Sequence, residues 1–268
     1  MLIDSFMFFN ELDLLEYRLN VLNDIVDYFV IVEAIVTHSG KPKKLFFGEN
    51  KNRFLKFSSK IIHVIINDLE KETPTSKPDA FANEGYNREC IRVGIDVIKK
   101  KHPSRELNQN DWIMISDVDE IPNPEIAAII KGTNSVEGYT LEQDLYYYNL
   151  RTKCDIKWHS ARIVNYKYYA DNLNGSPQRC RIEHIPKIIA KGGWHLSYFG
   201  DSQFIKTKIE SFCEQSYNTS DNTNINNIDH RVKNQKDVYG RDCKLINIPI
   251  EDNDNLPPKC DKFLARFM

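Results

Sequence analysis

Asp117, Asp119 and Glu120 end the apolar run Trp112 to Ile115 in the segment DWIMISDVDEIP. Along a strand, successive side chains point to opposite faces, so Asp117 and Asp119 share one face. Two carboxylates side by side repel unless a cation or a shared proton relieves them. A hard divalent ion, Mn²⁺ or Mg²⁺, bound through oxygen ligands and completed by a substrate diphosphate, is the natural partner. In a plainer reading one acid caps the helix that follows and the others are solvated.

Two further groups could join this chemistry. In KGGWHLSYFG, residues 191 to 200, His195 lies in an apolar and aromatic segment behind two glycines that allow close backbone approach. Alone, it reads as a hydrogen-bonded core histidine. Trp194 reads as core, or as an indole face for a sugar ring. In NEGYNREC, Glu84 and Arg88 stand four apart on one helical face. They form an ordinary helix ion pair, or Arg88 turns its planar fork to a phosphate.

These residues need a scaffold, and the hydrophobic pattern supplies one. Residues 2 to 9 form a short apolar run, and Leu12, Leu15, Leu19 and Leu22 then recur at helical spacing. YFVIVEA and IIHVIIN read as strands covered on both faces, with helices predicted at 50 to 58 and from Ala82 to Lys101. DWIMISDVDEI is the third strand of this series, followed by a helix start at NPEIAAII, where Pro124 suits the first turn. Strand and helix in alternation predict an α/β domain with a mostly parallel sheet, whose ligands sit at the carboxyl ends of the strands. That rule places Glu33 on the same rim as the acid cluster. After residue 138, GYTLEQDLYYYNL, ARIVNYKYYA and RCRIEHIPKIIA read as mixed or antiparallel strands, and a helix is expected at 202 to 217. Polar loops are expected at 67 to 81 and 218 to 229.

The bulk numbers narrow the class. Hydrophobic residues at 41% and charged residues at 28% fit an ordinary globular chain. A net charge of -2 offers no broad basic field for nucleic acid. Six cysteines without a CxxC pair or zinc-type spacing read as reduced thiols. The first residues carry Asp4 and Glu11 where a signal peptide needs a basic flank and an unbroken apolar core. No run approaches the ~18 apolar residues of a membrane span. The expectation is a soluble, cytoplasmic protein in which the sequons at Asn174 and Asn218 stay idle.

Taken in order, FFNELDLLEYRL, FVIVEA with THSGKPKKLFF, the YNR at 86 to 88, DWIMISDVDEIP, and GGWHLSYFG with a lysine-containing helix after it resemble glycosyltransferase family 17. The resemblance covers roughly residues 5 to 217. It implies a GT-A type fold over one catalytic domain, residues 1–268. Within it, 1–135 would form the nucleotide-binding half, 136–217 the half that meets the acceptor and completes the metal shell, and 218–268 a C-terminal loop and tail. It also implies inversion at the anomeric carbon, a UDP-sugar donor, UDP-N-acetylglucosamine above others, and a glycan or glycoconjugate acceptor.

Carried onto this chain, the resemblance makes Asp117 and Asp119 the metal and diphosphate motif, with Glu120 beside them in the catalytic set. Glu33, Arg88 and Trp194 join Asp117 in the donor pocket, and His195 completes the metal shell with Asp117 and Asp119. The sequence departs from the family at SFCEQSYN, where Cys213 and Glu214 occupy the neighbourhood of an expected histidine. Metal ligation competes with proton abstraction, so the general base is sought elsewhere, at Glu142 or Asp144 in LEQDLYY, with Asp201 and Glu214 as further choices. Rival readings of the same carboxylates are a nucleotidyltransferase, a phosphatase of the haloacid dehalogenase type, and a glycan-binding module without turnover. The phosphatase reading expects its aspartate on the first strand, whereas this motif lies mid-chain.

Overall fold

The computed structural model describes residues 1–268 as a mixed α/β fold around one large sheet. Four strands form its parallel part, β1 (Leu2–Met7), β2 (Tyr28–Ala34), β3 (Ile61–Ile66) and β4 (Trp112–Asp117), in the spatial order β4-β1-β2-β3. Their alternation divides the core between two faces. Leu2, Phe6, Phe29, Ile31, Trp112 and Met114 pack with Leu14, Leu15, Leu19 and Leu22 of α1 (Leu12–Leu22) on one face. Ile3, Val30, Val32, Ile113 and Ile115 pack on the other, against Ile91, Ile95 and Ile98. A strand covered on both sides must be apolar throughout, which is why these runs are continuous.

The short helix α2 (Phe46–Glu49) precedes a 3-10 segment at Lys51–Phe57. The long helix expected from Ala82 to Lys101 is instead a pair, α3 (Ala80–Glu89) and α4 (Ile91–Lys101), broken at Cys90. Asp79 caps α3, its carboxylate accepting from the Phe81 and Ala82 amides. After β4 the chain turns into β5 (Glu120–Pro122) and then α5 (Pro124–Lys131), capped by Asn123.

The second half extends the same sheet with mixed strand directions. β6 (Gly138–Tyr147), β7 (Thr152–Trp158) and β8 (Arg162–Asn165) are antiparallel neighbours, and β8 pairs with β4. Two of the expected strands are strand in one part and helix in another, ARIVNYKYYA beginning as β8 and RCRIEHIPKIIA ending in the next strand. YKYYADNL forms α6 (Tyr166–Leu173) and PQRCRI forms α7 (Pro177–Ile182), each opened by an Asn or Ser side chain that accepts a backbone N–H. β9 (Ile188–Ser197) runs parallel to β6 and antiparallel to β5. Gly193 makes that double pairing possible: its φ is +147°, and a Cβ there would meet the Ile121 carbonyl oxygen at 2.1 Å. α8 (Ser202–Ser211) begins where the helix expected over 202 to 217 begins and ends six residues earlier, with a separate 3-10 turn at Gln215–Tyr217. Part of the polar stretch beyond 218 is helical, as α9 (Ile225–Lys233), and β10 (Leu245–Asn247) adds to β7. No helix is long and apolar enough to cross a membrane.

Candidate active site

A cleft of about 230 Å³ opens at the carboxyl ends of β1, β2 and β4, where a parallel sheet leaves its strand ends free of helices. Phe8 and Phe9 after β1, Thr37 and His38 after β2, and Asp117 to Asp119 after β4 line it. α3 contributes Glu84 and Asn87, β9 contributes His195, and α8 contributes Lys208 with Phe212 and Cys213 just beyond it.

The acidic turn is held from beneath by Arg18, which is fully buried. Its guanidinium grips Asp4 through two hydrogen bonds of 2.6 and 2.8 Å and donates to the carbonyls of Asp117 at 2.8 Å and Glu120 at 2.9 Å. The Nη2 that meets Asp4 also donates to Ser116 Oγ at 2.7 Å. The planar five-donor fork suits this task, since one ammonium could not serve so many acceptors.

Each carboxylate of the turn faces a cation. Asp119 Oδ2 lies 2.7 Å from Lys208 Nζ and 3.7 Å from His195 Nε2. Burial raises the carboxyl, but Lys208 and His195 outweigh it and hold Asp119 well below the usual range. Lys208 also meets Glu11 Oε1 at 3.3 Å, and these two acids raise its ammonium above the ordinary value despite burial. Asp117 accepts from Arg181 at 2.8 Å and from Arg88 at 3.4 Å; burial opposes its ionisation, and Arg181 with Arg88 lowers it nonetheless.

Glu120 has no free capacity. Arg181 donates to both its oxygens, at 2.6 and 2.7 Å, Trp158 Nε1 to one at 2.5 Å, and the Asp117 amide to the other at 2.9 Å. Fully buried and outside the cleft lining, it shapes the turn and is not available as an acid or base.

The geometry revises several expected positions. Glu33 is fully buried and accepts from the amides of Phe47 and Gly48 and from His63, so it caps α2 instead of facing the cleft. Trp194 is 3% exposed, packs in the core below the sheet, and donates its indole N–H to the Asn255 carbonyl, leaving no face for a sugar. Strand alternation explains the split, since Trp194 and its neighbour His195 point to opposite sides. Glu142 pairs with His159, while Asp144 is held by Lys153, Lys157 and Asn255; neither lines the cleft. Asp201 caps α8, and Glu214 stays outside the lining. Arg88 lies one shell behind the cleft, joined to Glu84 at 2.9 Å and Gln178 at 2.7 Å.

Asp119 and His195 could hold a divalent ion. Asp119 Oδ2, 3.7 Å from His195 Nε2, already carries Lys208 Nζ at 2.7 Å, so an ion bound by these two residues would have to displace the ammonium from that oxygen. The imidazole is fixed by the Trp158 ring, 4.6 Å away between centroids. Asp117 does not join them, its oxygens being turned to arginines, and no three His, Cys, Asp or Glu side chains converge on one point.

Lys208, Arg181, Arg18, Glu11 and Trp158 are the contributors that spacing did not reveal. The first sits in the lysine-containing helix and Arg18 and Glu11 in the FFNELDLLEYRL segment, so the pieces were visible and their pairing was not.

The Beta-1,4-mannosyl-glycoprotein 4-beta-N-acetylglucosaminyltransferases of Homo sapiens and Rattus norvegicus are each 31% identical to this chain over 116 residues. That stretch is 42% of this chain, which thus spans only about a fifth of the length of these relatives, 20%. A crystal structure of a glycosyltransferase involved in the glycosylation of the major capsid of PBCV-1 aligns with 70% of this chain and 80% of its own, at 11% identity and a TM-score of 0.26. The match to the family profile is far more extensive, running over residues 1–242 and so taking in every cleft residue described above. The chain therefore belongs to glycosyltransferase family 17.

Proposed function

We propose that this chain transfers N-acetylglucosamine from UDP-N-acetylglucosamine to a glycan hydroxyl with inversion at the anomeric carbon, on a GT-A type scaffold. The observation that supports it most is the set of cations paired with the acidic turn at the rim of the cleft, with Lys208 in the lining and Arg181 and Arg88 behind it. Fixed positive charge at that rim stabilises the negative charge that develops on a departing diphosphate. Phe8, Phe9 and Phe212 give the cleft apolar walls against which a nucleobase or sugar can lie.

In the proposed step the acceptor oxygen attacks the anomeric carbon as the bond to the diphosphate oxygen breaks, and a carboxylate takes the acceptor proton. Asp117 and Asp119 are poor proton acceptors because their cations hold them ionised at low pH. Among the other cleft acids, Glu11 is tied to Lys208 and the Asn10 amide, whereas Glu84 is more exposed and carries one arginine bond. Glu84 is therefore the proposed base. Mn²⁺ or Mg²⁺, held by Asp119 and His195, would act as a Lewis acid toward the diphosphate.

The test is incubation with a panel of nucleotide sugars and glycan acceptors. Release of UDP from UDP-N-acetylglucosamine, a β-linked product by NMR and loss of turnover with a chelator are the expected results. Failure with every donor, in the presence of Mn²⁺, would overturn the reading.

A further inference from the structure

Cys154 on β7 and Cys243 before β10 place their Sγ atoms 3.0 Å apart, closer than unbonded sulfurs pack in van der Waals contact. The backbone explains why they meet. In the antiparallel pair Leu245 stands opposite Cys154, and Cys243, two residues earlier on its strand extension, comes to the same face. The Asp155 amide donating to the Lys244 carbonyl at 3.2 Å continues the ladder past the sulfurs. Cys154 is buried, and Cys243 is half-buried, so one sulfur of the two is within reach of a reagent from solvent.

We propose that Cys154 and Cys243 form a reversible disulfide, a modification site that staples the chain before β10 to β7 and so fixes one wall of the cleft. The link to the cleft is direct. Tyr239, four residues before Cys243, joins its hydroxyl to that of Tyr198 and stacks on Phe212, with ring centroids 6.2 Å apart and planes 5° apart. Both partners line the cleft. The cross-link would close a loop of 89 residues that carries β9 and α8, and with them His195 and Lys208. A loop of that length removes much freedom from the unfolded chain.

The oxidant is a small-molecule disulfide such as oxidised glutathione. The Cys243 thiolate attacks it and releases one glutathione thiolate; the Cys154 thiolate then attacks the Cys243 sulfur and releases the second. The two cysteines lose two electrons, the glutathione disulfide gains them, and the two thiol protons end on the released glutathione. This chemistry stands apart from sugar transfer and holds whether or not the proposed donor is correct.

The test uses the full chain treated with excess oxidised glutathione. Thiol titration in denaturant should fall from six groups to four, and peptide mapping should recover a Cys154–Cys243 pair that dithiothreitol separates. Thermal unfolding of the oxidised form should rise by roughly 5 °C. Cys243→Ser should show five thiols and lose none. Six persistent thiols, a cross-link through another cysteine, or a disulfide that leaves the unfolding temperature unchanged overturns the proposal.

Discussion

Lys208 Nζ rests 2.7 Å from Asp119 Oδ2, bringing together two residues 89 positions apart in the chain. The pair binds α8 to the acidic turn, so the charge proposed to face a diphosphate is also part of what positions the wall of the cleft. Asp119→Asn should therefore do two things. Transfer should fall by at least 10²-fold, and stability should fall by about 2 kcal/mol, because Lys208 keeps only Glu11 as a buried counter-charge. Urea unfolding measures the second effect. The double variant with Lys208→Met should regain most of the stability and none of the transfer.

Arg18 makes a different prediction, since it touches the turn only through main-chain carbonyls, Ser116 Oγ and Asp4. Arg18→Met leaves Asp4 buried without a cation and should cost about 3–5 kcal/mol. A variant as stable as the parent in urea would show that the buried pair contributes nothing net.

Proton abstraction can be assigned by comparing three amide variants. Glu84→Gln should lower transfer by 10²- to 10⁴-fold while calorimetry still detects UDP binding. Glu142→Gln and Asp144→Asn should keep transfer near the parent rate, because neither side chain lines the cleft. Full transfer by Glu84→Gln would move the base to another cleft group.

Stability should depend on pH in two windows. Burial holds His38 down to about 4 against an ordinary 6.5, so the unfolded chain takes up a proton first. Stability should then decline as pH falls from 6.5 through 4, and His38→Gln should flatten that stretch of the urea midpoint curve. Lys208 acts at the other end. Its ammonium is held above the ordinary 10.5, so its contribution is complete below that pH and is lost as pH rises beyond it. Lys208→Met should remove the alkaline decline.

Legibility in the sequence followed the range of the interaction. β2 was readable as YFVIVEA because burial on both faces leaves a local mark in residue type. α7 was not, since the alternation in RCRI mimics a strand, and the better signal lay in Ser176 and Pro177 at its start. Placing Glu33 at the end of a buried strand was sound, yet its oxygens went to the α2 amides, a use that only the packed loop determines. Arg181 illustrates the limit: it lies 61 residues from Glu120 in sequence, and no periodicity announces such a pairing. The acids could be read because they cluster along the chain, and their cations could not because they cluster only in space.

The sheet itself bears on how such a chain can be recombined. β4, which ends in Asp117, pairs with β1 on one side and β8 on the other, while β9, which carries His195, is tied to both β5 and β6. No seam separates the half that begins with β1 from the half that begins with β6. A chimaera that grafts residues after 135 from a distant relative must therefore recreate the β4–β8 and β5–β9 registers together, or it loses His195 opposite Glu120. The two halves differ in strand pairing, all parallel among β1 to β4 and mixed beyond them, and are not interchangeable as modules.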